Sequence, residues 1–401
     1  MSEPGIPQPS APLERLLYEL RTEAIRLGFS RLGVASTAAT DREELIHAAL
    51  QSWLEKGLAG PMTDWLTEHE PLRRAPQRML PGVRTVIMLA TDHSLPEPAT
   101  ARGGKGRDGV GQVAAYAQGD DYHRLLRQRV NLLGAWLEAR YPGCRTRGVV
   151  DSAPFSEREF GWLAGLGWFG KNCMLIDPTA GSFFFLTALL TDLPFPVNEP
   201  IRVDHCGTCT ACLDACPTGA FVAPRVLDAN RCISGITIEH HGPVPDELRR
   251  HLGDWVFGCD VCQQVCPWNR HAPGSTEPTL KPRSGMQQGL LLVELLALDE
   301  EAFRTRFRGS AVLRAKRQGV LRSAALALGN APSAAAAESL MRTLDDPDPV
   351  VRGAAAWALG RWRETAAALA LRAEAALVAR QESETDPGVR REIAAALAGC
   401  G

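Results

Sequence analysis

The chain has 401 residues, 44 Lys and Arg against 46 Asp and Glu, 45% hydrophobic residues and 6% aromatics. That is the profile of a soluble globular protein of about two to four domains, not of a disordered or fibrous one. The longest apolar run, Phe183 to Leu190, is at most half of the ~18 residues a spanning helix needs, so a membrane protein is excluded. The opening MSEPGIPQPSAP lacks both a basic segment and an apolar core; residues 1–12 read as a disordered tail and not a secretory signal, which places the protein in the cytoplasm.

Leu13, Leu16, Leu17, Leu20, Ala24 and Leu27 recur at helical spacing and stop at Gly28, so the ordered chain opens with an amphipathic helix. Ser30 to Ala35, Arg84 to Ala90 and Arg145 to Val150 read as strands, and Asp121 to Ala139 as a helix between the last two. Residues 97–112, rich in Gly and charge, read as a mobile surface loop. This alternation to about residue 200 suits an α/β or α+β core. From about residue 310 the composition turns to Ala, Leu and Arg. The stretch Leu321 to Gly329 is echoed at Val351 to Gly360 and Val389 to Leu397, with Asp348-Pro349 and Asp386-Pro387 as helix starts. Such a period marks HEAT-type helix pairs, too few to stand alone and therefore expected to pack on the rest.

Eight of the 11 cysteines lie between Cys206 and Cys266, and in a reducing compartment such clustering points to metal. Cys144, Cys173 and Cys400 read as ordinary small apolar residues or a tail thiol. Cys206-x2-Cys209-x2-Cys212-x3-Cys216-Pro217 has the spacing of two-cluster ferredoxins, in which the fourth thiolate serves the other cluster. Cys232, Cys259, Cys262 and Cys266 supply four more. Crossing the sets gives Cys206, Cys209, Cys212 and Cys266 for one [4Fe–4S] cluster and Cys216, Cys232, Cys259 and Cys262 for the other. Two structural zinc sites are the alternative, although zinc does not need three consecutive ligands at x2 spacing followed by Cys-Pro. Gly165-Leu166-Gly167-Trp168-Phe169-Gly170 fits a dinucleotide fingerprint, but it follows a helical stretch and precedes an extended one, the reverse of the order that loop needs. Its glycines then mean a close approach to something bulky and flat, or a tight turn.

The residues Val150-Asp151-Ser152-Ala153-Pro154, Glu157-Arg158-Glu159, Gly165 to Asn172 and the cysteine block ending Cys266-Pro267-Trp268-Asn269 together resemble epoxyqueuosine reductases. The likeness extends to Tyr116-Ala117, Asp121-Tyr122-His123, Cys232-Ile233-Ser234, Thr237-Ile238-Glu239 and Arg314 to Gly319, so it covers most of the chain from about residue 13. It implies an α+β fold: a cobalamin-binding α/β core at 13–200 similar to that of reductive dehalogenases, a ferredoxin-like two-cluster domain at 201–275, and helical HEAT-like repeats at 276–401. It also implies reduction of the epoxide of epoxyqueuosine at the tRNA wobble position, giving queuosine, with electrons passing through both clusters to base-off cobalamin.

In that setting Asp151 matches the catalytic acid, since an opened epoxide leaves an alkoxide-like oxygen that must be protonated. A partly dry pocket beside a flat apolar ring would raise its pKa; from the residues alone Asp151 reads equally as a helix N-cap. Arg158, Lys171, Ser234, Thr237, Cys259 and Asp260 fall at positions expected around the cobalamin. The run Arg304, Arg306, Arg308, Arg314, Lys316, Arg317 and Arg322 contains no acid, and with Arg352, Arg361 and Arg363 it reads as an RNA-docking patch or as a solvated helix face. Trp65, Trp168 and Trp268 could stack on a base or the corrin, or pack in the core. The expected partners are tRNA and an unidentified electron donor, and a monomer is expected for lack of heptads. A small-molecule reductive dehalogenase and a non-catalytic electron-transfer scaffold remain as alternatives, the first predicting no RNA binding and the second no corrin.

Overall fold

A computed structural model describes residues 12–38, 41–95, 109–331, 334–362 and 367–399, so the tail expected at the N-terminus and Arg363 lie outside the described residues. The opening helix runs Pro12–Arg26 and ends before Gly28. Four strands form one sheet in the order Arg31–Ser36, Thr85–Asp92, Phe184–Thr191, Thr146–Val150, antiparallel at every pairing. Of the two classes the sequence allowed, this is α+β.

Alternation across the two central strands creates two cores. Ile87, Leu89 and Leu189 face the helices Pro12–Arg26 and Tyr122–Arg140, against Leu20, Leu126, Val130, Leu133 and Leu137. Val86, Met88, Ala188 and Leu190 face the other way, onto Phe155, Phe160 and Trp162 around the helix Glu157–Leu163. The turn after Val150 and the start of the Tyr122 helix therefore meet at one end of the sheet, where Tyr122 stacks on Phe185. Asp121 caps that helix, accepting from the His123 backbone N–H at 3.0 Å.

The Gly-rich stretch read as loop to residue 112 is corrected at its end. Val110–Val113 is a strand, parallel to Trp255–Phe257 and antiparallel to Leu290–Leu291, while 96–108 lie outside the described residues. Its partners are more than 140 residues away, so no local pattern announces it. This small sheet ties the core, the cysteine segment and the C-terminal helices together.

The helices Lys316–Asn330, Ala334–Thr343, Pro349–Trp362, Ala367–Ser383 and Pro387–Ala398 form the repeats, two of them starting at the expected Asp-Pro signals. They pack on the cysteine segment in one continuous core that includes Ile236, Val244, Leu248, Phe257, Val320, Ala324 and Leu328. Among the described residues no helix is long and apolar enough to cross a membrane.

Candidate functional site

The eight thiols sit on short turns. Cys212 lies in the single-turn helix Ala211–Asp214, Cys262 in Val261–Gln264, and Cys232 caps Ile233–Ile238. Their mutual influence separates them into two quartets. Burial and then Cys266, Cys206 and Cys209 push the Cys212 thiol up to about 11. Burial, with Asp260, Cys232 and Cys216 beside it, pushes Cys259 up further, and Cys262 is raised by burial and then by Cys259 and Cys232. Cys212 of the first set also acts on Cys262 of the second, so the two sets lie side by side. Backbone N–H groups of Ser234 and Gly235 point at the Cys232 sulfur, Val261 at Cys259 and Trp268 at Cys266, the donors that stabilise cluster thiolates. The first quartet surrounds a space of about 80 Å³, walled by Lys171, Asn172, Ile176, His205 and Trp268. Two groups of four sulfurs, each with no other ligand type, fit two cubane clusters.

Asp151 stands just past the strand Thr146–Val150, its side chain 44% exposed. It caps no helix, since the next one begins at Glu157 with Ser156 as its cap residue. Its carboxylate is held from two sides. The Tyr122 hydroxyl donates to Oδ2, and His123 Nε2 lies 2.5 Å from Oδ1. His123 Nδ1 in turn meets Asp121 Oδ1 at 2.6 Å, so one imidazole bridges two carboxylates. Burial opposes charge on this ring, but the hydrogen bonds to Asp121 and Asp151 outweigh it and raise the imidazole to about 9. Tyr122 is clamped between His123 and Phe185, with ring centroids 4.1 and 3.9 Å apart. The sequence marks Asp121, Tyr122 and His123 as a helix start and as part of the resemblance but gives them no role; adjacent Tyr-His at that helix start is the signal for one. Without a corrin beside it the Asp151 side chain is half-exposed, and it is paired with His123.

Tyr116 joins the acid to the second quartet. It packs edge-on to Tyr122 and shares an apolar cluster with Cys259, and its hydroxyl is raised by burial and then by the negative charges of Asp260, Asp151 and Glu239. Asp260 accepts from the Ala115 N–H at 2.7 Å. Thr237 donates to the Ile233 carbonyl at 2.8 Å and accepts from the Gly258 N–H at 2.9 Å. The side chains of Asp260 and Thr237 are thus engaged in fixing the backbone on either side of Cys259, and Ser234 contributes its backbone N–H to Cys232. Lys171 reaches the carbonyls of Gly207 and Cys209 at 2.7 and 2.9 Å and so braces the first quartet.

Arg158 alone of the expected cobalamin side chains lines the large cavity of this region. It donates to the Cys173 carbonyl at 2.6 Å. The cavity measures about 1000 Å³, and Ser156, Glu157, Arg158 and Cys173 are among the residues that line it. Trp53, Trp162 and Phe169 line it together with Lys56, Arg158, Arg202 and Arg225. Arg73 Nε, Glu157 Oε1 and Trp168 Nε1, on residues that line it, are buried without a hydrogen-bond partner. Burial holds the Glu157 carboxyl near 7, above its ordinary value. A cavity of this volume with aromatic side chains and a rim of cations fits a large macrocycle fringed by amides.

The glycine motif serves internal packing. A Cβ at Gly167 would lie 2.4 Å from the Ile176 carbonyl, because Trp168–Phe169 pairs with Leu175–Ile176 in a tight hairpin. Trp168 and Trp268 pack edge-on against each other at 4.9 Å beside the first quartet, and Trp65 stacks on His69.

The RNA-docking assignment is corrected for three arginines. Arg322 is 1% exposed and donates to the carbonyls of Ile236, His240 and Gly242 at 2.6–2.7 Å. Arg317 is buried against Asp346, and Arg352 forms a two-pronged pair with Glu384 at 2.8 Å. With their donors spent inside the protein, none of the three can reach a phosphate. Arg304 and Arg306 pair with Glu300 and Glu294. Arg308, Arg314 and Lys316 remain exposed, Arg314 paired at the surface with Glu239 at 2.7 Å, and Arg361 is half-buried.

Known proteins share this arrangement. Residues 73–152 match the family described as Epoxyqueuosine reductase QueG, DUF1730, residues 205–269 the 4Fe-4S double cluster binding domain, and residues 309–398 HEAT repeats. The epoxyqueuosine reductase of Escherichia coli K12 is 39% identical over 361 residues, 90% of this chain and 92% of that protein. That of Pseudomonas aeruginosa is 41% identical over 352 residues, 88% and 96% of the two chains. A crystal structure of epoxyqueuosine reductase with an epoxyqueuosine-modified tRNA-Tyr stem loop superposes with a TM-score of 0.83 at 30% identity, covering 97% of this chain and 99% of that one.

Proposed function

This chain belongs to the epoxyqueuosine reductase family, and on that premise we propose that it converts epoxyqueuosine to queuosine at the wobble position of tRNA, as a cytoplasmic monomer using base-off cobalamin and two [4Fe–4S] clusters. The observation that carries this reading is the grip on the acid: Asp151 is held by Tyr122 and His123, and Tyr116 packs edge-on to Tyr122 and joins the same apolar cluster as Cys259 of the second quartet.

The overall change takes two electrons and two protons and turns an epoxide into an alkene and water. Arg158, Glu157 and Arg73, with Trp162 and Phe169, line the large cavity and would hold cobalamin, which would supply the reducing chemistry, and the two cysteine quartets would hold the clusters that provide its electrons. Asp151 relays a proton, taken from the His123 imidazolium, to the oxygen as the carbon–oxygen bond breaks. His123, protonated at neutral pH, hands that proton to Oδ1, and Asp121 holds the ring in place by Nδ1. Tyr122 fixes the second carboxylate oxygen so that the acid faces the substrate.

The modified base has to leave the anticodon stack to reach this pocket, which a single-stranded loop permits at low cost. Arg308, Arg314 and Lys316 are the cations that can meet its phosphates, and the field of Arg314 already reaches Tyr116. The test is anaerobic: reconstituted protein, cobalamin, a chemical reductant and tRNA bearing epoxyqueuosine, with mass analysis of the released nucleoside. Loss of one oxygen is expected. An unchanged mass with bound, reducible corrin refutes the tRNA reading and returns small halogenated molecules as substrates.

A further inference from the structure

The hairpin that holds the glycine motif is built against the cysteines. Trp168 stands opposite Ile176 on it, and Phe169 opposite Leu175. Residues paired across two strands share a face, and neighbours along a strand take opposite faces, so Trp168 and Ile176 turn one way and Phe169 the other. Ile176 lines the space enclosed by the first quartet. Trp168, Ile176 and Cys266 form one apolar cluster, with Cys206 and Trp268 packed on it. Glycine permits this closeness, since a Cβ at Gly170 would lie 2.5 Å from Ile176 Cδ1. The turn of the hairpin sends Lys171 to the Gly207 and Cys209 carbonyls and Asn172 to the Cys262 carbonyl at 3.3 Å, so it is fastened to both quartets.

Three rings pack together beside the first quartet. Trp168 meets His205 at 4.8 Å and Trp268 at 4.9 Å, and His205 meets Trp268 at 5.7 Å, all edge-on. His205 precedes Cys206, Trp268 follows Cys266-Pro267, and both line the space of that quartet. Trp168 lies deepest, 2% exposed, and its Nε1 is buried without a hydrogen-bond partner. A buried donor left unpaired costs about 1–3 kcal/mol, and buried indole N–H groups usually find an acceptor. The side chains clustered with this ring offer carbon and sulfur: Met174, Ile176, Ile201, Cys206, Cys266 and Trp268. A cluster seated on the quartet brings sulfurs that accept N–H hydrogen bonds to this face of the hairpin.

We propose that the Trp168 indole N–H donates to a sulfur of the first [4Fe–4S] cluster and thereby raises the reduction potential of that cluster. The inference rests on the two-cluster reading above. Reduction adds negative charge to the cluster, so a donor aimed at its sulfur stabilises the reduced state more than the oxidised one. Water reaching the cluster would act in the same direction, so removing the N–H and admitting water change the potential with opposite signs.

The experiment uses the full reconstituted holoprotein and Trp168→Phe, which keeps an aromatic ring and removes the N–H. Spectroelectrochemical titration of the parent should resolve two cluster couples. In the variant one couple should become about tenfold harder to reduce, a fall of about 59 mV, while the other keeps its parent value. Iron content and cobalamin affinity, the latter read from corrin absorption, should equal those of the parent. Pulsed EPR of the reduced parent, grown with tryptophan labelled with nitrogen-15 in the indole, should show a coupling to that nitrogen that survives in Trp268→Phe. This second measurement decides the matter even if Trp168→Phe fails to hold its clusters, because a missing coupling overturns the inference. Two unshifted couples overturn it, and so does a rise, the sign of water entry. Unshifted couples with weakened cobalamin binding place the N–H on the corrin instead, since Trp168 also borders the large cavity. A parent without iron overturns the two-cluster reading and this inference together, whereas iron with an unshifted couple overturns this inference alone.

Discussion

His123→Gln removes the imidazole that joins Asp121 to Asp151 while keeping a side chain of similar length. In the folded protein the ring titrates near 9 against an ordinary value of 6.5. That displacement corresponds to at most about 3 kcal/mol in favour of the charged ring. With 28% of the side chain exposed, screening reduces the figure to about 1–2 kcal/mol. The folded value is the raised one, so this stabilisation is complete below pH about 6.5 and disappears as pH climbs through about 9. The catalytic consequence follows the same titration. Parent turnover on an anticodon stem loop should decline above pH about 9, as His123 loses the proton it supplies. In the Gln variant kcat should fall about a hundredfold, the low end for proton transfer because Asp151 and Tyr122 remain. KM should hardly move, since the ring touches the acid and not the substrate, and the alkaline decline should vanish. Single-turnover rates from pH 6 to 10, beside urea unfolding at the same pH values, read both effects. A variant that keeps the alkaline limb refutes the relay, and a stability difference that persists at pH 10 refutes the electrostatic account.

Asp151→Asn keeps the shape of the acid and removes its proton; kcat should drop about a thousandfold or more while corrin absorption and stem-loop affinity stay at parent values, and undiminished turnover removes Asp151 from the chemistry. Arg322→Met leaves three carbonyls without their donor, which should cost about 3–5 kcal/mol in denaturant unfolding yet leave the salt dependence of tRNA binding unchanged. Arg314→Ala and Lys316→Ala should do the opposite, each lowering the slope of log affinity against log salt by about one with little loss of stability. Glu384 is held near 2 by its hydrogen bonds to Arg352, with burial opposing. Its contribution is therefore present above its ordinary 4.5 and lost as pH falls through about 2. Glu384→Gln should weaken the fold at neutral pH and flatten its acid unfolding curve, and an unchanged curve would show that the pair contributes nothing.

Legibility followed the range of the interaction. The cysteine block was legible because its ligand spacing is set within a few residues, and the helix at Tyr122 because its apolar face repeats locally. The grip on Asp151 was out of reach because its partners lie 28 and 29 positions earlier, across the sheet. The arginines were misread for a different reason. A count of charge along the chain registers Arg317, Arg322 and Arg352 as surface, yet the helix Lys316–Asn330 is apolar on nearly every side, as its buried residues from Val320 through Gly329 show. A helix without a polar face is a buried helix, and a cation inside it must be answered by carbonyls or carboxylates. That signal stood in the run Leu321-Arg322-Ser323-Ala324-Ala325-Leu326, and in its echo Val351-Arg352-Gly353-Ala354, before any coordinates.

Those buried arginines also explain why the repeats and the chemistry belong to one rigid body. Arg322 grips the segment Ile236 to Gly242, which begins at the helix capped by Cys232 and carries Glu239. Thr237 in the same segment accepts from Gly258, next to Cys259. Arg249 adds a second tie, pairing with Glu392 of the last repeat helix at 2.6 and 2.8 Å. The surface pair Arg314–Glu239 is consequently set at a fixed offset from both the second quartet and Asp151. An RNA loop seated on Arg308, Arg314 and Lys316 is located relative to the acid by this chain of buried bonds, with no flexible linker between docking and catalysis. Positioning of this kind is worth several kcal/mol of a reaction barrier, and small displacements forfeit it. Loosening Arg322 should for that reason be felt in turnover on a bound stem loop before it is felt in affinity.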